Sequence, residues 1–240
     1  MIDHPEVSIK NHNQNYNWLP DFVYGGIDGA VTTFAIVAGV VGASLSIPII
    51  LILGFANLIA DGFSMAISKY LSDKSSEEQY EKIQQVEFKH LKEKRDHEIN
   101  EIREIFELHG FKGKQLEEAT KVITSNPKIW VDVMMRHEFN MIKENIAPFK
   151  GAIVTFISFF LIGLIPLLSY LLRTPLNLTD TTTFVATCIS TLLALFVVGA
   201  IKSRFSMKNW AISGLQTMFV GGFAASIAYG IGHLASPLIS

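Results

Sequence analysis

The chain has 240 residues, 49% hydrophobic and only 18% charged, where a soluble domain carries about 25% charged residues. No Asp, Glu, Lys or Arg falls between Gly29 and Ala60 or between Gly151 and Leu172, and a bilayer core needs about 20 apolar residues per helix. This pattern excludes a soluble globular domain. The single Cys188 excludes an intramolecular disulfide; the net charge of −2 is segregated along the chain and by itself says nothing of partners, and no nucleic-acid partner is expected.

Met1 to Pro20 are polar and lack the apolar core of a secretory signal peptide, so residues 1–22 are expected to form a cytosolic lead. Residues 23–71 read as two membrane spans, about Gly26 to Ser44 and Pro48 to Tyr70, joined by the short uncharged turn Ser44-Leu45-Ser46-Ile47-Pro48. Residues 72–147 are strongly charged and read as a helical domain. No Pro or Gly interrupts Ser75 to His109, which predicts one very long helix or two in series. Gly110 suits a helix C-cap. A further helix is expected over Gln115 to Thr124, and Asn126-Pro127 opens another from about Lys128 to Asn145. Residues 148–240 supply three more spans, about Phe149 to Leu172, Thr182 to Ile201 and Trp210 to Leu234. Pro166 is expected to kink the third span.

Orientation follows from the basic residues. Nineteen of the twenty Lys and Arg lie on one side, as Lys10, the fifteen from Lys69 to Lys150, and Lys202, Arg204 and Lys208; only Arg173 lies on the other side. The positive-inside rule then places the N-terminus and the charged domain in the cytosol and the C-terminus on the opposite face. The expected fold is an all-α membrane protein with five transmembrane helices and a cytosolic helical insert between the second and third.

Two groups of residues carry chemistry. In the charged domain, Glu98, Glu101, Glu104 and Glu107 recur every three residues, and Glu87 and His90 repeat that spacing. Met134 and Glu138 stand one helical turn apart. Carboxylate, imidazole and thioether together suit Fe²⁺, Mn²⁺ or Zn²⁺; the alternative is a solvated charged helix face, with Lys94 and Arg103 among the carboxylates. In the membrane, Asp28 opens an otherwise uncharged span, and Asn57, Asp61 and Met65 share one helical stripe of the second. An ionisable residue inside a span marks a functional path by default. The alternatives are that Asp28 caps its helix and that Asp61 pairs with a basic residue. The first-span glycines, Gly25, Gly26, Gly29, Gly39 and Gly42, are read as close-packing positions.

The stretch Tyr24-Gly25-Gly26-Ile27-Asp28-Gly29-Ala30-Val31-Thr32-Thr33, continuing to Ile36-Val37-Ala38-Gly39, resembles the first-span signature of the vacuolar iron transporter family. Ala60-Asp61-Gly62-Phe63-Ser64-Met65-Ala66 with Tyr70-Leu71-Ser72 resembles its second-span signature. Ile162 to Leu168 and Gly199-Ala200-Ile201-Lys202 are similar to its later spans, and the likeness runs from about Phe22 to Leu234. The resemblance implies a homodimeric exporter of Fe²⁺, and of Mn²⁺ as a second ion, that moves metal out of the cytosol in exchange for protons. It implies Asp28 and Met65 in the translocation path and Glu87, Glu98, Glu101, Met134 and Glu138 as cytosolic metal ligands, with no permanently bound cofactor. Proton return would use Asp28 first and Asp61 second. The sequence departs from the family pattern at His90 and Met135, each where a Glu is usual. Lys69 stands where an acidic residue is common, and Asp61 is a carboxylate where small residues are frequent. The implied membrane is the plasma membrane in a bacterium, or a vacuolar or other organelle membrane in a eukaryote.

Other classes are a membrane enzyme and a metal-regulated scaffold or sensor. No His-Glu-x-x-His helix or Ser/His pair lies in the spans, so an enzyme is not expected. A scaffold would need one anchor and no buried Asp.

Overall fold

The computed structural model describes residues 16–143, 147–205 and 207–239, and every regular element among them is helical. The expected cytosolic lead therefore lies, up to residue 15, outside the described residues. In chain order the helices are α1 (Leu19–Gly42), α2 (Ile47–Glu93), α3 (Arg95–Leu108), α4 (Gly113–Thr124), α5 (Pro127–His137), α6 (Pro148–Gly163), α7 (Ile165–Leu171), α8 (Asp180–Lys202) and α9 (Trp210–Ile239). The chain divides into two compact units, residues 1–71 with 147–240, and residues 72–146; the division falls within α2.

In the first unit, α1, α2, α8 and α9 are each long and apolar enough to cross a membrane; α6 and α7, bent by 41°, add a fifth crossing if they form one span. Pro166 lies in the first turn of α7, where its missing N–H ends the ladder of α6, and the Thr187 hydroxyl donates to the Pro166 carbonyl at 3.3 Å. Polarity is arranged for lipid. Thr33, Thr155, Ser158, Thr183, Thr187, Thr191 and Ser213 are buried, while Ile59, Phe63, Leu161, Leu193 and Phe219 are exposed. A surface rich in large apolar side chains is stable only where the solvent is itself apolar. Several inner hydroxyls donate to backbone carbonyls, Ser158 to Thr155 of its own helix at 3.0 Å and Ser213 across to Gly199 of α8 at 2.7 Å.

Close approach fixes α1 against α6. A Cβ at Gly29 would stand 2.3 Å from the Phe159 carbonyl oxygen, so only glycine lets the two backbones meet there. Helix α1 starts earlier than the hydropathy suggests, because Pro20 in its first turn is already set for helix. Asp28 consequently lies about two and a half turns into α1 rather than at its first residue.

The second unit is built on a core of Leu91, Ile102, Trp130, Val131, Met134 and Met135. Of the two expectations for residues 75–109, the structure takes two helices in series. α2 continues unbroken from the apolar stretch to Glu93, the backbone leaves helical geometry at Lys94 (φ −134°), and α3 follows. Gly110, at φ +93°, ends α3 in the left-handed region that favours glycine. Asn126 caps α5, its side chain accepting from the N–H of Lys128 and Ile129. Helix α5 is shorter than expected and ends at His137; Asn140 takes a left-handed φ of 52° soon after. Residues 144–146, where that helix was expected to finish, lie outside the described residues.

Candidate functional site

The break at Lys94 creates the first site. Glu87 and Glu98 are eleven positions apart, which on an unbroken helix would separate them by about 16 Å. Turning the chain at Lys94 folds α3 back, so that one ligand atom from each of Glu87, His90 and Glu98 falls within 4.8 Å of the others. His90 Nδ1 stands 3.5 Å from Glu87 Oε1 and 3.7 Å from Glu98 Oε1. Both carboxylates are nearly sealed, with side chains 3% exposed, whereas the His90 ring is 33% exposed. The second oxygen of each, Oε2, is buried without a hydrogen-bond partner.

These side chains line a cavity of about 400 Å³ together with Lys82, Lys94, His97, Glu101 and Glu138. His97 Nε2 lies 3.3 Å from Glu101 Oε1. Burial is the main force on the acids. It pushes the Glu87 carboxyl up to about 7, helped by the charges of Glu138 and Glu101. Glu98 is pushed up to about 7 by burial, then by Glu101 and Glu87 and a hydrogen bond with Glu101, against a smaller lowering by His90. Glu138 is raised by burial and by Glu101. Carboxyls crowded and buried in this way hold protons near neutrality.

Five of the six metal-ligand candidates, Glu87, His90, Glu98, Glu101 and Glu138, therefore line one cavity. The sixth, Met134, is fully buried in the hydrophobic core of the unit and does not line it. Glu104 and Glu107, although in the same three-residue series, also lie off the cavity, since a three-residue step lags the 3.6-residue turn and drifts around the helix. Of the neighbouring cations, Lys94 lines the cavity, while Arg103 pairs with Glu117 on α4 at 3.1 and 3.2 Å.

The second group lies in the first unit. Asp28 lies one helical turn from Thr32 on α1 and Asp61 one turn from Asn57 on α2, and Thr32 and Asn57 are in contact. Asn57 is held to α1 by donating to Thr32 Oγ1 at 3.3 Å, and Thr32 in turn donates to the Asp28 carbonyl at 2.9 Å. Met65 is half-buried against the cluster of Val37, Leu58 and Phe159, while Asp61 is exposed. Among the described residues Asp61 has no basic partner; the nearby Lys69 ammonium stands 3.4 Å from Asp21 instead.

Two further polar residues, one on the cavity and one elsewhere on α1, were not among the candidates. His97 is four residues before Glu101, a helical neighbour spacing that does carry a signal. Asp21 is buried, accepts a hydrogen bond from the Tyr16 hydroxyl and pairs with Lys69; it precedes Asp28 by two helical turns, on the same face of α1.

The sequence profile of the VIT family matches residues 19–233. A vacuolar iron transporter of Toxoplasma gondii is 32% identical over 97% of this chain and 78% of its own length. One from Centaurea cyanus is 32% identical over 96% and 95%. Vacuolar iron transporter 1 of Arabidopsis thaliana is 31% identical over 95% and 89%.

Proposed function

The chain belongs to the VIT family, and on that premise we propose that it carries Fe²⁺ across a membrane as a transporter and not an enzyme. The observation that carries this reading is the cavity of Glu87, His90 and Glu98, whose sealed carboxylates keep an oxygen each without a partner. An unpaired buried acceptor is costly, and a divalent cation removes that cost.

In this reading residues 72–147 face the cytosol and gather the ion through Glu87, His90, Glu98, Glu101 and Glu138. Asp28 and Met65, with Asn57 and Asp61 beside them, hold it partly dehydrated in the membrane. A homodimer brings a second copy of these groups, and ions leave the cytosol in exchange for protons that return through Asp28 and then Asp61. Mn²⁺ is a second substrate. Two membrane carboxylates, neither with a basic partner among the described residues, support the exchange, because releasing a cation leaves like charges that a proton relieves.

The test is flux. Purified chain in sealed liposomes should take up Fe²⁺ and drive an opposing change in lumenal pH. Metal binding without flux would instead support a metal-regulated scaffold.

A further inference from the structure

The cavity is not an all-carboxylate cage. Its one nitrogen ligand within reach of both buried acids is His90, and a second imidazole, His97, lines the same space through its contact with Glu101. Hard ions gain little from such nitrogen: Ca²⁺ takes 6–8 oxygens and Mg²⁺ keeps much of its water. Transition ions gain in the order Mn²⁺, Fe²⁺, Co²⁺, and imidazole suits Fe and Zn where carboxylate and water suit Mn.

Spacing agrees with an ion of that size. Ligand atoms about 2.1 Å from a metal stand about 3.0 to 3.4 Å from one another in octahedral or tetrahedral arrangements. His90 Nδ1 is 3.5 Å from one carboxylate oxygen and 3.7 Å from the other, a few tenths of an ångström beyond such a shell, and all three ligand atoms lie within 4.8 Å of one another. The ring is also the most open of the three side chains, while the two acids are fixed at 3% exposure. The acids thus form a buried floor and the imidazole the more open third ligand.

We infer that His90 sets the ion selectivity of this cavity, favouring Fe²⁺, Co²⁺ and Zn²⁺ over Mn²⁺ and excluding Mg²⁺ and Ca²⁺. The inference rests on the reading that the cavity binds the transported ion, and adds which ions that reading admits. Both can be tested on the full chain in detergent, by competition of Co²⁺, Zn²⁺, Mn²⁺ and Mg²⁺ against a fluorescent chelator. The wild-type chain should prefer Co²⁺ to Mn²⁺. His90→Glu, which makes the cage all-carboxylate, should keep Mn²⁺ binding and narrow the Co²⁺-to-Mn²⁺ preference by about tenfold, the low end of what even an outer-shell change produces. An unchanged ratio with binding intact would overturn the selectivity role. Binding by none of the ions, or equal binding after Glu87→Gln with Glu98→Gln, would instead remove the site itself. X-ray absorption of the Co²⁺-loaded wild-type chain gives a readout that needs no variant: imidazole scattering around the metal is expected, and an all-oxygen shell would refute the inference.

Discussion

His90 at the end of α2 and Glu98 in the first turn of α3 stand 3.7 Å apart across the break at Lys94. Their side chains belong to different helices, so the distance between them is held by how α3 and α5 pack on the core around Trp130 and not by helical spacing. The geometry of this cluster therefore depends on that core.

The first prediction concerns pH. With Glu87 and Glu98 both raised to about 7, a divalent ion arriving at pH 7 displaces about one proton in total from the two half-protonated acids. Co²⁺ affinity should fall as pH drops from 8 to 6, a window in which ordinary carboxylates near 4.3 would be silent. Folded-state values raised above the unfolded ones mean that the apo unit gains stability from protonation. That gain is complete below about pH 4.5 and is lost as pH rises through about 7. Saturating metal should reverse the trend. Thermal melts across pH, with and without Co²⁺, check both signs.

Trp130→Ala should cost about 3–5 kcal/mol, the usual penalty for emptying a buried aromatic site. Trp130 is fully buried and Arg95 stacks over its ring at 5.0 Å. Because Arg95 opens α3, loosening this contact should lower metal affinity although no ligand is touched. Calorimetric melting and the chelator competition together would detect it; intact binding in a destabilised variant would separate the centre from the core.

Gly29→Val should disrupt the first unit alone. Its Cβ would be forced 2.3 Å from the Phe159 carbonyl, and overpacking of this kind costs about 1–3 kcal/mol or more. The expected outcome is a lower melting temperature in detergent and poor recovery from membranes, with metal binding by the other unit retained.

Asp28→Asn should abolish flux by orders of magnitude while leaving assembly and metal binding at Glu87 and Glu98 unchanged. Asn keeps the size and most hydrogen bonding of Asp and caps helices equally well, and Asp28 in any case lies inside α1 rather than at its start. Normal Fe²⁺ uptake by correctly assembled variant protein would leave Asp61 as the membrane carboxylate to test.

The amino-acid pattern alone determined the helical class and the apolar stretches, because the solvent of each segment is written in its composition: uncharged runs for lipid, Glu- and Lys-rich runs for water. It also placed Asp28 and Asp61, since any charge is conspicuous in an apolar run, and it marked the kink at Pro166, where a backbone donor is missing by chemistry. Tertiary structure decided what no local pattern encodes. Lys94 is an ordinary helix former, so nothing at that position announces the break; it exists because burying Ile102 and Leu91 with Trp130 requires α3 to turn back. That turn chose Glu98 and Glu101 from a series of four similar glutamates, brought in His97, and left Met134 in the core. Ligand spacing along a chain describes one helix, whereas this cavity is made by two helices and the segment after α5, and only their packing sets the distances an ion would meet.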